Sequence, residues 1–276
     1  MKILITGADG YIGSHLCSLL DRLYDITAFD LEFTKNTLPE SCKKVQGDIM
    51  DYKFKDKFDV VIHLAAYISV EESVKIPAKY YNNNYIATKS FLSQFSDDTH
   101  IIFSSTAAAF DPINMYGNSK LLAEKYIQDN IKRYTIFRFF NVGGSDGKNN
   151  FTSDTHLIYK AAEAAKYDKE LVIFGEDYDT KDGTCERDYI HVMDIVKAIK
   201  SNIGRPLNTK FECLKNEYQF TNLEVVSMMN MVSPLDFTIG ERREGDEASS
   251  STMKRYKNFK PRYTLYDICL STYNKI

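Results

Sequence analysis

Apolar residues along the first half of the chain fall into short β-rich runs separated by amphipathic stretches, the pattern of a parallel sheet flanked by helices. The spacing predicts strands at Lys2 to Thr6, Ile26 to Asp30, Lys44 to Gln46, Val60 to Ala65, Ile101 to Ser105 and Thr135 to Phe139. Helical periodicity covers Tyr11 to Leu23, Ile76 to Phe95 and Tyr116 to Asp129. Beyond Asn141 the rhythm changes. GGSDGKNN is a loop, His156 to Lys166 is helical, and Leu171 to Phe174 is a strand. The polar stretch EDYDTKDGTCERD precedes a helix starting near His191. The remainder carries short strands, a helix near Leu223 to Met231 and a serine-rich segment, Ser249 to Thr252. The expected fold is α/β: a Rossmann-type doubly wound parallel sheet over residues 1–145, and a smaller α/β substrate domain over 146–276. The helix near 191–201 is expected to pack back on the first domain.

A chain of 276 residues with 43% hydrophobic content can bury a full core without disulfides. Its five cysteines are scattered, with no CxxC pair, so neither a disulfide framework nor a zinc site is expected and no metal is assigned. MKILITG runs directly into a strand and leaves no space for a signal peptide, and no apolar run approaches the ~20 residues of a membrane helix. A cytoplasmic protein is expected, with no membrane association. A net charge of -3 offers no footprint for nucleic acid.

Gly7, Gly10 and Gly13 in TGADGYIGSH follow the first predicted strand and open a predicted helix. The first glycine permits the tight turn, the second lets the backbone approach a pyrophosphate, and the third lets helix and strand pack closely. The helix N-terminus favours the negative charge. Asp30, ending the second strand, would accept hydrogen bonds from the adenosine ribose, and with Glu32 it would repel the 2′-phosphate of NADP. NAD is the expected cofactor. Asp48, in QGDIMD, and the HLAA run (His63, Leu64, Ala65, Ala66) lie at strand ends, on the edge where open α/β sheets bind ligands. Capping a helix would explain Asp48 equally well.

Tyr116 and Lys120 in NMYGNSK stand four apart on a predicted helix and share one face. A lysine ammonium there would lower the tyrosine pKa and let the phenolate act as general base. Tyr85/Lys89 and Tyr256/Lys260 have the same spacing, but only Tyr116 begins a helix just after a strand-end SST segment, Ser104 to Thr106. Thr106 would hydrogen-bond the reacting alcohol. Ala107 and Ala108 offer no carboxylate for dehydration, which leaves simple oxidation and reduction.

With these blocks in place the chain resembles the extended short-chain dehydrogenase/reductase family, and within it the nucleotide-sugar 4-epimerases. The resemblance is carried by TGADGYIGSH, GDI at 47–49, HLAA with EES at 71–73, SSTAA at 104–108, YGNSK at 116–120, RFFN at 138–141, DGTCERDYIHVMD at 182–194 and RREGD at 242–246. It implies that Tyr116 takes the proton of the sugar 4-hydroxyl while NAD is reduced, and that a 4-keto sugar turns over and is reduced on its other face. It further implies a dinucleotide site of Gly7, Gly10, Tyr11, Ile12, Gly13, Asp30, Asp48, Ile49, Leu64, Ala65, Ala66, Asn84, Ser104, Tyr116, Lys120 and Phe139. For a UDP-sugar it implies Thr106, Asn141 and His156, with Phe174 near the uracil, Arg187 and Arg243 on the diphosphate, Asp246 on the uridine ribose, and Ser250. Guanidinium forks suit phosphate oxygens. The helices bearing Tyr85 and Tyr126 resemble a four-helix dimer contact, so a homodimer is expected. Two departures stand out. Only FDPINM separates Ala109 from Tyr116, where the family carries some twenty residues between the SST-like segment and the tyrosine. In addition, Phe211 to Lys215 replaces an NLGTG-like turn. A more open pocket or a weakened activity follows. Ser250 stands where the family gates the N-acetyl group, and a serine leaves room for it, so UDP-glucose and UDP-galactose are the expected substrates together with their N-acetylhexosamine counterparts. A 4-keto-sugar reductase and a non-catalytic dinucleotide or sugar-nucleotide sensor are the competing readings.

Overall fold

The computed structural model describes residues 1–35, 37–149, 156–243, 248–249 and 253–276. The chain forms two compact units, Met1–Phe139 with Val196–Cys213, and Phe140–Ile195 with Leu214–Ile276.

In the first unit β1 (Lys2–Thr6), α1 (Tyr11–Leu20), β2 (Asp25–Asp30), β3 (Lys43–Gln46) and β4 (Val60–His63) follow one another. After them come α2 (Val70–Lys75), α3 (Pro77–Tyr80), a π-helical segment Tyr81–Ala87, α4 (Thr88–Leu92), β5 (His100–Thr106), a 3₁₀ turn Ala107–Ala109, α5 (Met115–Asn130) and β6 (Tyr134–Phe139). A seven-stranded sheet carries β3, β2, β1, β4, β5 and β6 in that order, with Glu212–Leu214 at its far edge. The neighbours from β3 through β6 are all parallel. The order reverses between β1 and β4, so the crevice at the carboxyl ends of these strands is a topological switch point. The central strands are buried on both faces, which is why they read as continuous apolar runs.

The second unit contains β7 (Asn141–Gly143), α6 (Leu157–Tyr167), β8 (Leu171–Phe174), β9 (Glu186–Arg187), β10 (Tyr189–His191) and α7 (Val192–Asn202), whose last residues belong to the first unit. Beyond β11 (Glu212–Leu214) come β12 (Phe220–Thr221), α8 (Asn222–Val232), β13 (Phe237–Gly240) and α9 (Leu265–Lys275). Three two-stranded sheets, β10 with β7, β12 with β9 and β13 with β8, accompany a core of α6, α8 and α9 that contains Ile158, Ala161, Val225, Met229, Leu265 and Ile268.

Three sequence expectations are corrected, and one helix is added. The first helix stops at Leu20 rather than Leu23, because Arg22 takes φ 58 and breaks the helical path. The fourth strand stops at His63 rather than Ala65, as the chain bends over the glycine turn. The single helix expected over Ile76 to Phe95 is α3, a π segment and α4, with Pro77 at its first position and the wide turns over the asparagine run. Finally, α9 was absent from the periodicity reading, although Thr264 and Asp267 form a capping box that signals its start.

Candidate active site

The turn after β1 is built from backbone. Gly7 takes φ +66, and a Cβ on it would stand 2.8 Å from the Ala65 nitrogen. A Cβ on Gly13 would stand 2.0 Å from the Gly7 carbonyl oxygen, which the Gly10 N–H also approaches at 3.1 Å. Gly10 is the N-cap of α1, and no side chain caps that N-terminus. Tyr11, Ile12 and Gly13 form its first turn, where backbone N–H groups lack helical partners and favour an anion. Asp30 accepts the N–H of Asp9 and of Leu31, both at 2.8 Å, and burial raises its pKa. Asp9, which the sequence reading passed over, is itself buried and accepts the N–H groups of Thr34 (2.9 Å) and Lys35 (3.2 Å), ordering the chain after β2. Its place inside the glycine turn was the available signal.

Asp48 is exposed and its carboxylate accepts the Met50 N–H at 2.8 Å, closing a turn and not capping an α-helix. Ile49 beside it is buried. Leu64 and Ala65 donate back to Thr6, to its carbonyl at 3.2 Å and its hydroxyl at 3.3 Å, and Ala66 continues the loop. Asn84 lies in the π segment and its amide is spent locally: it accepts the Tyr67 N–H and donates to the Tyr67 carbonyl, both at 2.9 Å. Asn84 thus braces the loop after β4. Its amide also donates to Ser119 on α5 at 3.3 Å.

The end of β5 meets the start of α5. Ser104 donates to the His63 carbonyl at 3.0 Å. The Thr106 hydroxyl accepts the Ala108 N–H at 3.2 Å and neighbours the Tyr116 phenol. Asn114 caps α5 by accepting the Gly117 N–H at 2.9 Å. A Cβ on Gly117 would lie 2.3 Å from the Ala108 carbonyl oxygen, so the short FDPINM connection draws helix and 3₁₀ turn into direct contact. Phe110 and Ile113 in that connection are left exposed. Phe139 is buried at the end of β6.

Lys120 is buried, with its ammonium 4.3 Å from the centre of the Phe103 ring. Burial pushes its pKa down to about 7, and the Glu124 carboxylate opposes that fall. Burial raises the Tyr116 pKa, while the neighbouring Thr106 hydroxyl pulls it down. Behind Lys120, His63 is held between Thr6 (2.7 Å) and Thr88 (3.0 Å), and burial together with the Lys120 charge lowers its pKa to about 3, so the ring is neutral. Neither competing tyrosine–lysine pair has this setting. Tyr85 lies in the π segment with Lys89 against the Tyr126 ring, and Tyr256 and Lys260 are outside helices.

In the second unit Asn141 opens β7 and donates its N–H and its amide to the Asp188 carbonyl, at 3.0 and 3.2 Å. His156 immediately precedes α6 and is half-buried. Phe174 ends β8 with the Arg243 guanidinium 4.6 Å from its ring centre. Arg187 lies on β9 and donates to the Glu186 carbonyl at 2.8 Å. Asp246 and Ser250 lie outside the described residues.

The DGT block acts through its hydrogen bonds. Asp182 accepts the Thr184 N–H (2.9 Å) and hydroxyl (2.8 Å), and the Thr221 hydroxyl at 2.5 Å. It thereby ties the turn before β9 to the N-cap of α8, the antiparallel pair that carries Arg187. Gly183, at φ +80, is required because a Cβ would lie 2.0 Å from the Glu176 carbonyl oxygen.

A profile of the NAD dependent epimerase/dehydratase family matches residues 3–208. The UDP-glucose 4-epimerase of Lactobacillus helveticus is 34% identical over 99% of the chain and 96% of that protein. The UDP-glucose 4-epimerase of Bifidobacterium longum, in complex with NAD+ and UDP, superposes with a TM-score of 0.84 at 28% identity, over 99% of the chain and 97% of its own. The UDP-Glc/GlcNAc 4-epimerase of Campylobacter jejuni gives 0.76 at 32% identity, over 99% and 98%.

Proposed function

The chain belongs to the NAD dependent epimerase/dehydratase family, and on that footing we propose that it interconverts UDP-glucose with UDP-galactose and UDP-N-acetylglucosamine with UDP-N-acetylgalactosamine. It is an epimerase that uses NAD. One observation carries the reading: Thr106, at the end of β5, neighbours the Tyr116 phenol on the helix that also bears the buried Lys120 one turn on, and Ala107 and Ala108 follow Thr106 in place of acids. The glycine turn, the uncapped start of α1 and Asp30 fit a dinucleotide. NAD, when bound, supplies the reversible acceptor for the hydrogen at C4 of the sugar.

The chain's own residues do the rest. Tyr116 removes the proton from the sugar 4-hydroxyl and returns it, the Thr106 hydroxyl holds the reacting oxygen, and the Lys120 ammonium favours the phenolate. With a pKa near 7, Lys120 changes charge at working pH. Asn141 orients the sugar, and His156 borders it. Arg187 and Arg243 neutralise the diphosphate, Phe174 flanks the uracil and Asp246 holds the ribose. Ser250 leaves space for an N-acetyl group, a reading supported by the dual-substrate name of the Campylobacter jejuni relative. The same reading includes a homodimer formed through the faces of Tyr85 and Tyr126, and light scattering of the purified protein tests it: a monomer mass removes it.

Proton NMR of the purified protein with each of the four UDP-sugars, without added cofactor, tests the proposal. Conversion within both pairs is expected. Turnover of the plain hexoses with none of the acetylated pair removes the N-acetyl assignment, and in a second assay with NADPH added, its net consumption identifies a reductase instead.

A further inference from the structure

Two fully buried charges lie behind the tyrosine–lysine face of α5. Glu124 is one helical turn beyond Lys120, the spacing at which a carboxylate and an ammonium ordinarily pair. They do not pair here. Arg138 on β6 donates from Nε to one oxygen of Glu124 at 2.8 Å and from Nη2 to the other at 2.7 Å. Ser105 donates its hydroxyl to the first oxygen as well. Side-chain exposures of 2% for Arg138 and 1% for Glu124 leave no solvent to replace either partner. Arg138 also donates to the Ala109 carbonyl at 3.1 Å and stacks 3.7 Å from the centre of the Phe211 ring.

We propose that Arg138 and Glu124 are a positioning pair for the Tyr116–Lys120 couple: Arg138 occupies both oxygens of Glu124, so the carboxylate supports the Lys120 ammonium across a gap without capturing it. The same two side chains hold Ser105 and Ala109, which flank Thr106 in the chain, and so fix the threonine hydroxyl against the Tyr116 phenol. An ammonium in contact with Glu124 would be pulled along the helix, away from the phenol. One with no carboxylate nearby would lose its proton to burial. The ionisable groups around Lys120 are His63 on β4, Tyr116 and Glu124 on α5, Arg138 on β6 and, beyond Tyr116, Tyr80 on α3.

The importance for turnover rests on the reading of Tyr116 and Lys120 as catalytic, but the effect on Lys120 does not. The test is a titration of the full-length protein labelled with ¹³C at lysine Cε, the Lys120 signal being assigned by its loss in Lys120→Met. Glu124→Gln keeps the shape and removes the charge, and is expected to lower the Lys120 midpoint by roughly half a unit to one unit. Arg138→Met releases Glu124 toward Lys120 and is expected to raise the midpoint. If Arg138→Met does not fold, Arg138→Lys, which keeps the charge and cannot grip both oxygens in one plane, is expected to raise it too. Both charge variants should lower kcat with little change in KM. An unchanged midpoint in Glu124→Gln, or shifts in the same direction from the two ends of the pair, overturns the proposal. Opposite shifts combined with full turnover in Lys120→Met would leave the pair standing and refute the catalytic reading instead.

Discussion

Among the described residues each compact unit buries an acid–base pair, and the two pairs are built differently. In the first, Arg138 grips Glu124 with two short hydrogen bonds, and Ser105 supplies a third donor. In the second, Asp188 is fully buried with one oxygen on the Asn216 N–H at 2.8 Å, while Lys215 stands 3.8 Å from the other, too far for a hydrogen bond. That second oxygen has no hydrogen-bond partner among the described residues. Burial drives the Asp188 pKa up to about 7, against the pull of the Asn216 N–H and of Lys215. Taking a charge out of water is repaid only by good geometry. Where the fork is complete, the pair can serve as fixed scaffolding. Where it is loose, the acid becomes sensitive to pH, and here that acid belongs to the residue whose carbonyl holds Asn141.

The first way to sharpen the contrast separates chemistry from scaffolding. Tyr116→Phe keeps the fold and removes the base, and kcat is expected to fall by about 10²–10⁴-fold in the NMR assay. Arg138→Met should leave kcat measurable but cost about 3–5 kcal/mol in urea unfolding, because the buried Glu124 loses its two-pronged partner. Lys215→Met should cost much less, since Asp188 can take up a proton.

The pH dependence of stability offers a finer comparison. The folded-state pKa of Asp188 lies above its unfolded value, so the native state holds the extra proton and stability is expected to fall as pH rises from about 4 to 7. Lys120 is depressed from 10.5 to about 7, so the native state holds fewer protons above 7 and stability should rise with pH there. Either contribution alone is at most about 4–5 kcal/mol. His63 and His100, depressed to about 3 and about 4, act in the opposite sense below about 6.5, so each contribution is read as a difference of urea midpoints between about pH 4 and 9.5. Asp188→Asn should gain stability relative to the unaltered protein as pH rises from about 4 to 7, and Lys120→Met should lose it from about 7 upward; differences independent of pH in both variants would refute the assignment. The smallest effect is expected from Thr221→Ala, which removes the α8 capping box and one ligand of Asp182, at about 1–2 kcal/mol by the same unfolding measurement.

The sheet was legible because each strand writes its own periodicity. The boundaries moved by one or two residues where something nonlocal ended an element, as at His63 beneath the glycine turn. The π segment was not legible, since Asn82, Asn83 and Asn84 carry no pattern that separates π from α turns. Asn84, which the resemblance places at the dinucleotide, also braces Tyr67 through its amide, a contact that only the tertiary packing reveals.

From the sequence alone came the dinucleotide turn, the acid at the end of the second strand, the Tyr116–Lys120 spacing and the lack of acids after Thr106. These are local properties, readable because a helix or strand places near neighbours at known positions. Only the tertiary structure decided that Glu124 belongs to Arg138 and not to Lys120, that Asp188 meets Lys215 without gripping it, and that Asp182 ties Thr184 to Thr221. Those choices depend on which elements lie side by side, and a buried charge takes its pKa and its partner from that surrounding, not from its place in the chain.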